Sequence, residues 1–81
     1  MTPEELMLEI ERREKEILNP HLDNIHYEPM NTLPAYSYMV NRILPENSGL
    51  IDLFTELGIT DKRIMAEYLL DAAKELKRNS R

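Results

Sequence analysis

The sequence predicts an all-α fold: a small four-helix bundle, three helices long and one short, in a single domain over residues 1–81. Three observations carry that prediction. Apolar residues recur at helical spacing through most of the chain. Capping residues stand where those periodic runs begin, and proline or glycine stands where they end. With only 2 glycines and 42% hydrophobic residues, the composition is that of a folding chain rather than a disordered one.

The first helix is expected over 3–18. Thr2 can cap it, Pro3 is pre-set for the first helical position, and Glu5 stands three after Thr2 as in a capping box. Its apolar stripe is Leu6, Ile10 and Ile17, with Met7 and Leu18 on one flank. Arg13 falls inside that stripe and reads as a snorkelling stem with its head in water. Pro20 disfavours helical geometry at Asn19, so the helix should stop near Leu18. Glu11 with Lys15 and Arg12 with Glu16 are expected as solvent-face pairs.

Residues 19–33, "NPHLDNIHYEPMNTL", show no helical period and read as a long loop, with room for an extended piece near Ile25 to Tyr27. A second helix is expected over 33–44, ending before Pro45; Tyr36, Met39, Val40 and Ile43 make its apolar face. "PENSG" is a turn, and Asn47 or Ser48 should cap a short helix over 48–57 with the stripe Leu50, Leu53, Phe54 and Leu57. Gly58 fits the left-handed position after it, with Ile59 folding back toward Phe54 in a Schellman ending. Thr60 or Asp61 should cap the last helix, 61–78, whose apolar face centres on Met65, Leu69, Ala72 and Leu76. That face spans so much of the circumference that other elements, or a second chain, must cover it.

Charge narrows the function. The net charge is −5: residues 1–31 carry eight acids and three bases, 32–61 four and one, and 62–81 three and six. An acidic body repels phosphate, so nucleic acid is disfavoured as a partner. Lys74, Lys77 and Arg78 sit where a helix C-terminus prefers cations. The chain has no cysteine, which points to a reducing compartment and a cytoplasmic protein. No apolar run approaches the roughly 18 residues that span a bilayer, so no membrane partner is expected.

"LGITDKRIMAEYLLDAAKEL", 57–76, is the stretch that could read DNA, and a helix-turn-helix-like regulator built on 50–78 is the alternative function. The template wants a small residue four before the turn glycine, where Phe54 stands, and apolar residues six and nine after it. Ile64 meets that demand and Glu67 does not. "LGITDK" followed by "AEYLL" resembles a short segment of the N-terminal helical domain of DEAH-box splicing helicases, a PWI-like bundle, once one residue is inserted. No functional residue carries over from that resemblance.

Catalytic residues are not expected. There is no cysteine nucleophile, no serine or threonine in a recognisable elbow and no glycine-rich phosphate loop, and a bundle this small has little volume for a substrate pocket. Glu9, Glu14 and Asp23 stay open as carboxylates that could meet in space. "HLDNIHYE" gathers His21, Asp23, His26 and Glu28 as the weak metal candidates, at a spacing that matches no zinc pattern. No cofactor is expected. What remains is surface: Tyr27, Met30, Tyr38 and Leu70 are the partner-binding candidates, since tyrosine and methionine suit adaptable contacts. The sequence therefore predicts a small acidic protein-interaction or regulatory module that docks a protein partner, self-associates as a homodimer, or does both.

Overall fold

The computed structural model describes residues 2–26, 28 and 30–79. Four helices account for the architecture: α1 (Pro3–Leu18), α2 (residues 33–46), α3 (Ser48–Glu56) and α4 (Lys62–Asn79). Among the described residues there is no strand; one isolated antiparallel bridge pairs Glu28 with Asn31.

Local signals set most of the helix ends. The Thr2 hydroxyl accepts the Glu5 N–H at 3.1 Å and donates to the Glu5 carboxylate at 3.0 Å, so α1 begins in a capping box closed side chain to side chain. At the end of α3 the chain makes the Schellman pair of bonds: Gly58 N–H to Thr55 carbonyl and Ile59 N–H to Phe54 carbonyl, both at 2.9 Å. Gly58 has φ +85°, where a side chain would be strained. Asp61 opens α4, its carboxylate accepting the Arg63 N–H at 2.9 Å and its carbonyl the N–H groups of Ile64 and Met65.

Three expectations are corrected. Residues 19–33 are not one long loop, because Asn19–Asn24 winds as a 3₁₀ helix straight out of α1. Asn19 stays right-handed helical at φ −53°, ψ −46°, with its N–H on the Lys15 carbonyl. Pro20 therefore does not evict its predecessor from helical space; it lacks the N–H an α-turn needs, and the chain tightens instead. Within 19–33 the described residues are non-helical only from Ile25 to Thr32.

The second correction is α2, which runs through Pro45 to Glu46 rather than stopping at residue 44. It is α-helical over Leu33–Tyr38, π-helical over Met39–Ile43 and α-helical again over Leu44–Glu46. Within a regular α-helix the Pro45 ring would meet the carbonyl four residues back. The π turn, in which the Leu44 N–H reaches the Met39 carbonyl, resets the ladder so that Pro45 lies in the first turn of a new α segment. The third is Asn47. Its amide donates to the Ile43 carbonyl at 2.7 Å, closing the end of α2, and its side chain makes no cap bond to α3.

The core is a single cluster. Ile10 and Leu18 of α1, Ile25, Ala35, Met39, Ile43 and Leu44 around α2, Phe54 of α3, and Ala66, Leu69 and Ala73 of α4 are all fully buried. Helix α4 packs on α1, on α2 and on the 3₁₀ segment. Its buried residues are Met65, Ala66, Leu69, Leu70 and Ala73, a face rotated by about one residue from the expected centre, leaving Ala72 and Leu76 half-buried. The chain itself thus covers Met65, Leu69 and Leu70, while Tyr68 stays exposed.

Candidate functional site

The rotation of α4 has a counterpart on α1. The face that α1 buries is Leu6, Ile10, Glu14 and Leu18, four residues apart each time, so a glutamate occupies the position between two leucine- and isoleucine-filled turns. Arg13 lies outside that face, exposed and paired with Glu9 at 3.1 Å. Glu14 is 2% exposed, and its Oε2 has no hydrogen-bond partner. Burial, then the nearby charges of Glu11 and Asp71, push its carboxyl up from the usual 4.5 to about 7 against a smaller opposing effect of Lys15.

Glu14 lines a groove of about 230 Å³ between α1 and α4. Met7, Tyr68 and Ala72 supply its apolar wall. Glu11, Asp71 and Glu75 stand around it as further carboxylates, with Lys15 the cation among its lining residues. Lys15 reaches across to Glu75 at 3.5 Å, tying the two helices together at the rim. Tyr68 is 37% exposed and lies against Phe54, ring centroids 5.6 Å apart, so one side of the phenol ring is held by the core while part of it faces solvent. The groove continues along α4, where Ile64, Glu67, Tyr68 and Asp71 line an adjoining depression, and Ile64 is 43% exposed.

A second charge cluster on α1 faces outward. Arg12 bridges Glu9 and Glu16, each at 2.6 Å. Hydrogen bonds from Arg12 and Arg13 hold the Glu9 carboxyl below its usual value. This is an ordinary solvated face whose pairs contribute little each.

The sequence candidates are dispersed. Met30 is fully exposed, whereas Leu70 is buried under its own chain. Tyr38 is half-buried, and a 2.8 Å hydrogen bond joins its hydroxyl to Nδ1 of His21, which pins the 3₁₀ segment to α2. Tyr27 lies outside the described residues. His21 is thus occupied by Tyr38, Asp23 is exposed, and His26 and Glu28 line a different groove with Asn31, Pro34 and Lys77. Among the described residues no group of three or more His, Cys, Asp or Glu is placed to hold a metal ion. Met65, which a DNA-reading helix would need at the surface, is 1% exposed.

A stripe through Leu6, Ile10 and Ile17 does not lead to the Glu14 groove. The four-residue ladder Leu6, Ile10, Glu14, Leu18 was the available signal. Comparison with protein-family models, with curated proteins and with solved structures finds no match in any of the three.

Proposed function

We propose that the chain is a small, non-enzymatic protein-interaction module that docks a basic, amphipathic segment of a partner protein along the α1/α4 groove. The observation that carries this reading is the apolar wall of Met7, Tyr68 and Ala72 set among the carboxylates of Glu11, Asp71 and Glu75. Apolar burial would supply affinity, and the acidic rim would select a cationic partner and speed its arrival. A second copy of this chain fits poorly, since two acidic grooves face to face repel each other. Leu70 has no place in the docking surface, being covered by its own chain. A cytoplasmic setting and a regulatory role, in which occupancy of the groove controls the partner, complete the proposal.

The test is affinity capture with the parent chain and with Asp71→Lys, followed by cross-link mapping. The reading expects a lysine- or arginine-bearing segment cross-linked to Glu11, Asp71 or Glu75 and lost from the variant. A captured segment that is acidic, that maps elsewhere, or that survives the charge reversal contradicts it.

A further inference from the structure

We infer that the α1/α4 groove seats one guanidinium, an arginine side chain of the docked segment, on the carboxylate of Glu14. The inference rests on the docking reading and adds to it the residue that anchors the partner.

A ring of acidic residues is common on acidic proteins and would not carry this alone. The independent observation is Glu14 itself, 2% exposed, lining the groove, with Oε2 left without a hydrogen-bond partner. Buried polar atoms in folded proteins are paired in the great majority of cases, and an orphan calls for a partner that is missing. The chain does not provide that partner: of the two cations adjacent in sequence, Arg13 is paired with Glu9 and Lys15 is turned to Glu75. The titratable groups that line the groove with Glu14 are Glu11 and Lys15 on its own helix and Tyr68, Asp71 and Glu75 on α4; Glu11, Asp71 and Lys15 act on its charge. Burial first, and then the carboxylates that outnumber cations around it, disfavour the Glu14 anion until a positive charge arrives.

A guanidinium suits this place better than other cations. Its planar fork gives a carboxylate two parallel N–H bonds, and it is shed of water more easily than an ammonium. Its stem would lie on Met7 and Ala72 and its face on the Tyr68 ring, an arrangement that adds cation–π attraction. The groove beside Glu14, about 230 Å³, has room for such a side chain. A bare metal ion is a poorer fit, because the described carboxylates are not clustered as ligands.

The probe is n-butylguanidinium, an arginine side chain with one further carbon in the place of Cα, titrated into the full chain and followed by amide and side-chain carboxyl NMR shifts. Saturable shifts are expected at Glu14, Met7, Tyr68 and Ala72. Binding should be about tenfold tighter at about pH 8 than at about pH 6, because a carboxyl titrating near 7 ionises across that range while the guanidinium stays charged. Glu14→Gln should weaken binding at least about tenfold and abolish the pH dependence, while the exposed neighbour Glu11→Gln changes it only about two- to threefold. Glu14→Leu replaces the amide variant if the latter loses its helical circular dichroism. No saturable shift in the parent chain, equal binding by Glu14→Gln, or binding indifferent to pH overturns the inference. A parent chain that binds the probe yet captures no basic segment overturns the docking reading and leaves a guanidinium site. Capture that is unchanged in Glu14→Gln overturns the anchor and leaves the docking reading.

Discussion

Substituting Glu14 by glutamine or leucine removes a charge from between α1 and α4 while leaving the helix ends and the exposed ion pairs untouched. The carboxyl has a raised value in the folded chain, about 7 against 4.5. The folded state therefore binds this proton more tightly than the unfolded state does. Its favourable contribution is complete below about pH 4.5 and is lost as pH rises through about 7. At about 1.4 kcal/mol per pH unit, the folded chain gives up about 3 kcal/mol across that window. For a domain this small that is a large share of its total stability, and a shift of roughly 10–20 °C in Tm. Glu9 acts with the opposite sign. Its carboxyl is held low by Arg12 and Arg13, so its contribution is present above the usual 4.5 and lost as pH falls below it. The two windows do not overlap.

Urea unfolding followed by helical circular dichroism at about pH 5, 6, 7 and 8 separates them. The parent chain should lose about 2.5 kcal/mol from the acid to the alkaline end of this range. Glu14→Leu should be flat across the same range and more stable than the parent at about pH 8 by about 2–3 kcal/mol. Glu14→Gln should also be flat but gain less, because a buried amide without partners still costs about 1–3 kcal/mol. Parent stability that is level or rising over this range, with both variants following it, would refute the reasoning.

Other perturbations test single parts of the fold, each read as a urea midpoint and slope. Gly58→Ala should cost about 1–2 kcal/mol through backbone strain at φ +85°, since a Cβ there has open space around it; Gly58→Asn should cost less. Asp61→Ala removes the carboxylate that holds the Arg63 N–H and should cost about 1 kcal/mol, with faster amide exchange confined to the first turn of α4. Tyr38→Phe removes the 2.8 Å bond to His21 and should cost about 1 kcal/mol, with loosened protection in the 3₁₀ segment. Phe54→Ala, at a fully buried position, should cost about 3–5 kcal/mol and leave the chain largely unfolded at ordinary temperature.

What was legible in the sequence was local. Thr2, Asp61 and the Gly58–Ile59 ending act through bonds that span two to five residues, and each works in the structure as its residue type demands. The all-α class and the positions of α1, α3 and α4 followed from those ends and from periodicity. The departures come from forces that no short window contains. Pro20 and Pro45 are both held inside continuous helical backbone, by tightening to 3₁₀ in one case and widening to π in the other, because Leu18, Met39, Ile43 and Leu44 must reach a common core. The site was harder still. A turn of about one residue in α1 decides whether Arg13 or Glu14 faces inward, and that turn is set by what α4 presents, with its buried face moved toward Ala66, Leu70 and Ala73. Periodicity locates a stripe to within one neighbour, and here the one neighbour is the chemistry.

The most direct measurement is the titration of the Glu14 side-chain carboxyl carbon by NMR in the unmodified, ligand-free chain. A midpoint near 7 is expected, displaced downward when n-butylguanidinium is present. An ordinary midpoint near 4.5, unmoved by the cation, would mean that Glu14 is solvated and that the groove between α1 and α4 has no anchor.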